Sequence, residues 1–175
     1  APEPCPASGF VCPGHDVDAL FRGSKPISIP LGTTRELLRI NSSGVTFEPC
    51  PKGSWCASGE PVRCAKGTFN GREGAYKSTD CTPCPENART LEEGATSAAQ
   101  CRCRKGYYDN RTRSDGPACV LCMNGVDCSI PGANLTSLAL QPGFWRFSDT
   151  ALEVHRCPGR GPSCVGGVGP SYCGE

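Results

Sequence analysis

The chain has 175 residues and a net charge of +1, and only 29 of its residues are Leu, Ile, Val or Phe. It contains 22 Gly, 17 Pro and 15 Cys. So few large apolar residues exclude a sizeable hydrophobic core, while the low net charge is not typical of a disordered chain. Disulfide bonds are the stabiliser that fits this composition, since several cross-linked loops can replace a core.

The first part of the chain, residues 1–49, is predicted to form an N-terminal segment with short strands and a loop between Cys5 and Cys12. Ile27–Leu31 alternates apolar with polar residues or Pro, which predicts a short edge strand. Residues Thr33–Ile40 fit either one or two helical turns or a strand, because the apolar spacing does not decide between them.

Residues 50–128 carry the densest cysteine pattern, with two C-x-x-C pairs and one C-x-C pair. A disulfide between such close neighbours is geometrically poor, because the two α-carbons must lie about 5.5–6 Å apart. We therefore expect each close pair to be a junction, in which one cysteine bonds backwards and the other forwards. This predicts a ladder of four bonds: Cys64–Cys81, Cys84–Cys101, Cys103–Cys119 and Cys122–Cys128. A crossed pairing, Cys84–Cys103 with Cys101–Cys119, is the alternative.

Three further local pairs are predicted at Cys5–Cys12, Cys50–Cys56 and Cys157–Cys164. Because 15 is an odd number, at least one cysteine has no partner within the chain. Cys173 is the best candidate, as it lies near the end after a glycine-rich run. We expect it to bond outside this segment, either to a following module or to another chain.

Residues 129–175 are predicted to form a C-terminal hairpin that turns near Ser148–Asp149, followed by an incomplete cysteine-rich module. The hairpin carries the most apolar part of the sequence, including Phe144 and Trp145. These two aromatic residues fit either a ligand platform or the small core of the last module, and the core interpretation is favoured.

Disulfide frameworks persist outside the cytosol, and three N-glycosylation sequons agree, at Asn41, Asn110 and Asn134. No apolar run approaches 18 residues, so this segment contains no predicted membrane span. The sequence opens without a signal peptide and ends within a cysteine pattern. We interpret it as a mature secreted protein or, preferably, as a segment of a longer one.

Short repeats run along the chain. Cys5–Cys12 resembles Cys50–Cys56, with Cys-Pro, a Gly and an aromatic residue before the next Cys. Cys64-Ala-Lys-Gly-Thr-Phe and Cys103-Arg-Lys-Gly-Tyr-Tyr form a second pair. In both, a Gly allows a turn with positive φ just after a bonded cysteine, and the aromatic residue is expected to cover the disulfide. Such repeats indicate an array of small modules.

With Cys81-Thr-Pro-Cys84-Pro-Glu-Asn and Gly94-Ala-Thr-Ser-Ala-Ala-Gln-Cys101-Arg-Cys103, these repeats resemble the ephrin-receptor-like cysteine-rich module over about residues 50–122. That module is similar in style to TNF-receptor and EGF-like repeats. The tail, from Gly143-Phe-Trp-Arg through Cys157-Pro to Cys173, resembles the segment that follows such modules in large extracellular algal and protist proteins. Some of those proteins build flagellar hairs (mastigonemes) or surface coats.

The cysteine, histidine, aspartate and glycine motifs also allow metal, redox, catalytic and phosphate-binding interpretations. Cys81, Cys84, Cys101 and Cys103 have a spacing that fits a four-cysteine zinc site, but an oxidising compartment favours disulfides. A redox C-x-x-C would need a βαβ pattern, which is absent. A cysteine nucleophile would need a histidine, and His15 and His155 are more simply surface residues. Asp16–Asp18 lacks the rest of a calcium site, and the Gly-rich runs near Gly159 and Gly166 do not lie between a strand and a helix.

The sequence therefore predicts a small disulfide-rich fold, mostly β or irregular, with tandem cysteine-rich modules in an extended array, short hairpins and little helix. The predicted function is that of an extracellular structural or interaction module of a large secreted or surface glycoprotein. No catalytic, cofactor or metal site is predicted, and the expected partners are protein, by homotypic assembly or through neighbouring modules, and N-linked glycans, without nucleic acid. The alternative is a receptor ectodomain that binds a protein ligand. A secreted hydrolase is disfavoured, because no recognisable motif places an acid/base pair beside a nucleophile.

Overall fold

A computed structural model describes residues 10–11, 27–34, 39–41, 44–111, 116–158 and 164–168. The fold in these ranges consists of two-stranded antiparallel hairpins, in which each odd-numbered strand pairs with the strand that follows it. The strands of the N-terminal half are β1 Phe10–Val11, β2 Ile27–Ser28, β3 Arg39–Asn41, β4 Gly44–Thr46, β5 Ser54–Trp55, β6 Val62–Arg63, β7 Thr68–Phe69 and β8 Thr82–Pro83. Those of the C-terminal half are β9 Ala88–Thr90, β10 Cys101–Cys103, β11 Tyr107–Asp109, β12 Cys119–Leu121, β13 Val126–Asp127, β14 Ala139–Leu140, β15 Phe144–Trp145 and β16 His155–Arg156.

Helix is limited, within the described ranges, to three single turns of 3₁₀ type at Ser78–Asp80, Ala98–Gln100 and Leu135–Ser137. The predicted small, disulfide-rich, mostly β fold with little helix is confirmed. Hairpins of two or three residues per strand are not stable alone, so the cross-links and the contacts between hairpins must hold them.

The observed strands differ in part from those that the sequence predicts. The edge strand predicted at Ile27–Leu31 is shorter, since pairing covers only Ile27–Ser28 and Pro30 has no N–H to continue a ladder. Of the ambiguous stretch Thr33–Ile40, Arg39 and Ile40 lie in a strand and Thr33 forms an isolated bridge with Pro49. In the predicted C-terminal hairpin, β15 pairs with β16 across a connection that contains Ser148–Asp149.

The chain divides into two compact units. Unit 1 comprises Ala1–Pro83 with Glu92–Ser97, and unit 2 comprises Cys84–Leu91 with Ala98–Glu175. Within unit 2, β13 pairs with β14 across the boundary predicted at 128/129. The three-part division at residues 49 and 128 remains a prediction.

The interior of unit 1 is built largely from sulfur and small side chains. Cys50, Cys56 and Cys64 are fully buried, together with Ala75 and Ala95. Unit 2 contains an apolar cluster instead, formed by Tyr108, Val126, Cys128, Leu138 and Leu140, with Trp145 and Val154 packed against it. Among the described residues, the buried large apolar side chains therefore lie mostly in unit 2, with Ile29 the exception in unit 1.

A recurring backbone contact, which we name the glycine clamp, fixes the three small disulfide loops that the structure describes. In it, the carbonyl oxygen of a glycine accepts from the N–H of the first cysteine, and the N–H of that glycine donates to the carbonyl of the second. Gly32 clamps Cys50 and Cys56 at 2.7 and 3.0 Å. Two more clamps follow the same pattern: Gly106 on Cys122 and Cys128, and Gly143 on Cys157 and Cys164. All three glycines have φ between +77° and +89°, a region that costs other residues about 1–2 kcal/mol.

Cys64–Asn70 is a variant of the same loop, in which Asn70 occupies the position of the second cysteine. Gly53 accepts from the N–H of Cys64 and donates to the carbonyl of Asn70, both at 2.8 Å. The freed cysteine Cys64 bonds forward to Cys81. Cys103–Asp109 has the same spacing, and Cys103 likewise bonds forward, to Cys119.

A Gly-Ala pair from later in the chain binds the other side of three of these loops. The glycine N–H donates to the carbonyl of the first cysteine, and the alanine carbonyl accepts from the N–H of the second position. In the first loop, Gly74 bonds Cys50 at 2.8 Å and Ala75 bonds Cys56 at 2.9 Å. Two further pairs repeat this: Gly94–Ala95 on Cys64 and Asn70, and Gly132–Ala133 on Cys103 and Asp109. In the first two loops, the clamp and the Gly-Ala pair together bond the N–H and C=O groups of both end residues.

The clamp predicts a large difference between two alanine substitutions. A Cβ at Gly53 would collide with the carbonyl oxygen of Gly94, whereas a Cβ at Gly106 meets nothing within 4 Å. Both residues have positive φ. We expect Gly106→Ala to lower the free energy of unfolding by about 1–2 kcal/mol, and Gly53→Ala to lower it by about 3 kcal/mol or more because overpacking adds to the strain. Denaturant unfolding with the disulfides intact measures both, and equal losses would contradict the close packing at Gly53.

A second prediction concerns Arg146, the last residue of the motif Gly143-Phe-Trp-Arg, which is only 3 % exposed. Its guanidinium donates to the carbonyls of Leu135 at 3.0 Å and Leu138 at 3.2 Å. We expect Arg146→Met to lower the free energy of unfolding by about 2–4 kcal/mol, because both buried carbonyls lose a partner. Arg146→Lys should fall between, since an ammonium lacks the planar fork that spans two acceptors. The exposed Arg104→Met is the control, with an expected change under about 0.5 kcal/mol.

Candidate functional site

The predicted site residues are mainly cysteines, and the structure joins most of them. It contains Cys64–Cys81, Cys84–Cys101, Cys103–Cys119 and Cys122–Cys128, the same four pairs as the predicted ladder, together with Cys50–Cys56 and Cys157–Cys164. Their Cα–Cα distances run from 5.4 to 6.4 Å, within the usual range for a disulfide. Cys5, Cys12 and Cys173 lie outside the described residues, so their pairing remains a prediction.

The C-x-x-C and C-x-C motifs therefore act as junctions. Cys81 bonds backwards and Cys84 forwards, and Cys101 and Cys103 diverge in the same way. The sulfur atoms of these four cysteines, which the zinc alternative would use as thiolates, all lie in disulfides. The other weighed residues, His15 and Asp16–Asp18, lie outside the described ranges.

Asn134 is exposed, and its side chain caps the 3₁₀ turn Leu135–Ser137. Its amide oxygen accepts from the Thr136 hydroxyl at 2.8 Å and from the Ser137 N–H at 2.9 Å. Asn110 is half-buried, and its backbone N–H donates to the Ala118 carbonyl. Asn41 ends β3, while the hydroxyl positions of its sequon and of the Asn110 sequon, Ser43 and Thr112, lie outside the described residues.

An aromatic cluster lies on the β15–β16 hairpin. The rings of Trp145, Phe147 and His155 have centroids 4.6–5.6 Å apart. Trp145 also packs against the apolar cluster of unit 2, which agrees with the core interpretation. Phe147, however, is 77 % exposed. It lies two residues after Trp145, a spacing that places both on one face of an extended chain and that could have singled it out in the sequence.

Other apolar side chains of unit 2 are also exposed. Leu121 is 68 % exposed and Ile130 is 74 % exposed. Large apolar residues are scarce in this chain. The exposure of Phe147, Leu121 and Ile130 therefore gives up stabilisation that their burial would provide. Exposed apolar residues of this kind are typical of contact surfaces when they cluster.

The described carboxylates with altered acidity serve turns. The Asp80 carboxylate accepts from the N–H of Tyr76 at 3.0 Å and from that of Lys77 at 3.2 Å, and the bond from Tyr76 is the main cause that lowers the pKa of Asp80. The Ser129 N–H lowers the pKa of Asp127 in the same way. Both carboxylates are therefore ionised at neutral pH, which suits hydrogen-bond acceptors in turns. A general acid would instead need to be protonated.

A shallow pocket of about 300 Å³ lies beside Asp80 in unit 1. Its charged lining is mixed, with Arg72 opposed by Glu73 and Asp80. Asn70, the most buried residue of the lining, already donates to the Ser54 carbonyl and accepts from the Arg72 N–H. The lining thus carries both signs of charge with one negative charge in excess, and its Asp80 carboxylate already accepts two backbone hydrogen bonds.

Two charges of the same sign lie instead on the paired strands β9 and β10 of unit 2, whose connection carries Glu92 and Glu93. Arg89 and Arg102 are both exposed and lie directly opposite each other in the strand register. Like charges directly opposite on a hairpin are unfavourable. The opposition of these two arginines depends on the strand register, which the sequence alone does not give.

Among the described residues, no helix is long and apolar enough to cross a membrane.

Comparison with known proteins shows what part of the chain is similar to a described family. The family model described as "Tyrosine-protein kinase ephrin type A/B receptor-like" matches residues 57–101. Cysteine repeat modular protein A of Toxoplasma gondii is 33 % identical over 82 residues, which cover 44 % of this chain and 3 % of that protein. Ephrin type-B receptor 2 of Gallus gallus and that of Coturnix japonica are each 33 % identical over 95 residues, which cover 54 % of this chain and 8 % of the receptor.

The chain thus spans only a small part of these relatives, and no solved structure gives a significant match. The matched family segment begins just after the Cys50–Cys56 loop and ends at Cys101, so it includes the Cys64–Cys81 and Cys84–Cys101 bonds. On the match, the relatives and the disulfides together, residues 57–101 are similar to a cysteine-rich module of the ephrin-receptor-like kind.

Proposed function

We propose that the chain is a non-catalytic, extracellular module of a larger secreted or surface glycoprotein, and that it provides structure and binds protein. The observation that carries this proposal is the covalent ladder, in which the described cysteines are bonded and glycine clamps hold three of the small loops. Such a scaffold is rigid without a large core and suits an oxidising compartment. The relatives named as a modular protein and as a receptor support the same class.

The proposed contacts are homotypic, either lateral or end to end, as in a filament or surface coat of the mastigoneme kind, and include neighbouring modules of the same long chain. Exposed Leu121 and Phe147 of unit 2 support a protein partner, since burying each such side chain is worth about 1.5–3 kcal/mol. The alternative, a receptor ectodomain with a protein ligand, is favoured by the similarity to ephrin type-B receptor 2. The full open reading frame separates the two: further modules fit a structural protein, whereas a membrane span and a cytoplasmic domain fit a receptor.

The homotypic contact predicts self-association of the 175-residue chain. We expect sedimentation velocity to show a weight that rises with concentration, and Phe147→Ser to weaken association about tenfold or more, because an apolar contact worth at least about 1.5 kcal/mol is lost. Val62→Ser is the matched control, since Val62 is 45 % exposed in unit 1 and should leave association unchanged. A chain that stays monomeric throughout would contradict homotypic assembly and favour the receptor alternative.

The secretory assignment predicts N-linked glycans, with Asn134 the most completely occupied. Its side chain is exposed, and only its oxygen is used by Thr136 and Ser137 in the hydrogen bonds described above. In protein secreted by eukaryotic cells, we expect glycosidase treatment to lower the intact mass, and Asn134→Gln to remove one glycan. Asn124→Gln, at an exposed asparagine outside any sequon, should not change the mass. Secreted protein without any glycan would contradict the proposal.

A further inference from the structure

The β9–β10 hairpin carries two opposed arginines on a fixed platform. Ala88, Thr90, Cys101 and Cys103 point inward and are buried, which leaves Arg89 and Arg102 on the outer face. Cβ atoms directly opposite on paired strands lie about 4.5–5.5 Å apart. The two guanidinium groups are therefore attached close together on one face.

No carboxylate among the described residues forms an ion pair with Arg89, Arg102 or Arg104. Arg104 extends this face, since it lies two residues beyond Arg102 and its N–H donates to the Asn87 carbonyl at 2.8 Å, continuing the ladder. Lys105 differs, because its charge acts on Asp127. The surplus charge thus belongs to the three arginines, in a chain whose net charge is only +1.

The platform cannot readily rearrange to separate the charges. Cys101 is bonded to Cys84, and Cys103 to Cys119. The side-chain stem of Arg102 lies over Gly132, where an added Cβ would be 3.3 Å from the Arg102 Cδ. Gly132 is itself held by the hydrogen bond from its N–H to the Cys103 carbonyl. The unfavourable pair is therefore built into the fold, and an anionic partner would relieve it.

We propose that the face formed by Arg89, Arg102 and Arg104 binds a sulfated polysaccharide. Guanidinium groups match the oxygen geometry of sulfate with paired N–H donors, and a polymer with closely repeated sulfates can engage several arginines at once. The choice of a polysaccharide over other polyanions rests on the extracellular location proposed above. This binding is separate from the homotypic contact, because it uses strand-borne charge and not Leu121 or Phe147.

Heparin is the probe, with the disulfide-bonded 175-residue chain as the sample. Arg89→Gln with Arg102→Gln should weaken heparin binding at least tenfold and make it less dependent on salt, since fewer counterions are released on binding. The control is Arg63→Gln with Lys66→Gln, which removes the same charge from exposed residues of unit 1. Arg63 is well matched, because its stem packs over Gly94 as that of Arg102 packs over Gly132, while its cross-strand neighbour is Ser54.

Two further measurements keep the test decisive. Without heparin, Arg102→Gln should raise Tm slightly, because the like-charge pair is removed, and this also shows that the variant folds. Arg89→Lys with Arg102→Lys keeps the charge and should still lose several-fold in affinity, because the paired donors are lost.

Equal losses in the arginine pair and the control would overturn the proposal, as would the absence of heparin binding at physiological salt. Tighter binding to phosphatidylserine vesicles than to heparin, lost in the same arginine variants, would overturn it in favour of a lipid surface. Because heparin binding is measured on the isolated chain, its failure leaves the self-association and glycan tests of the proposed function unaffected.

Discussion

The structure depends on how the backbone groups at the ends of each small cysteine loop are bonded. In the loop from Cys50 to Cys56, Gly32 bonds one side and Gly74–Ala75 the other, so both N–H groups and both carbonyls have partners. Buried backbone groups without partners cost as much as a lost hydrogen bond. Within each unit, short hairpins that would fail alone are thereby joined by hydrogen bonds, and the disulfides act as cross-links.

This framework explains how the chain folds with so few large apolar residues. Among the described residues, the interior of unit 1 contains buried cysteines, alanines and the polar Asn70. Burial of Asn70 is possible because its side chain forms hydrogen bonds with Ser54 and Arg72. Unit 2 adds an apolar cluster around Leu138 and also buries Arg146, whose guanidinium donates to the carbonyls of Leu135 and Leu138. Disulfides and backbone hydrogen bonds do in unit 1 what side-chain packing does in unit 2.

The sequence predicted the fold class and the pairs of the ladder, because the distance limit on a disulfide excludes bonds between close neighbours such as Cys101 and Cys103. It also predicted the turns at Gly67 and Gly106, both of which have positive φ. The Gly-Ala contacts could not be predicted, because they join only backbone atoms of residues far apart in the chain. Such contacts produce no periodic pattern of side chains in the sequence. The exposure of Phe147 and the opposition of Arg89 to Arg102 likewise depend on strand pairing, which the sequence leaves open.

A scaffold fixed by its backbone and its disulfides leaves the outward strand positions outside the interior, although the stem of Arg102 still packs over Gly132. Thr90 and Cys101 face inward and hold the β9–β10 hairpin, whereas Arg89 and Arg102 contribute nothing to its interior. An outward residue can then change without loss of the fold, and it can even be unfavourable, because its cost of up to about 1 kcal/mol is small beside the cross-links. An opposed arginine pair on such a hairpin is therefore better explained by what it binds than by what it stabilises.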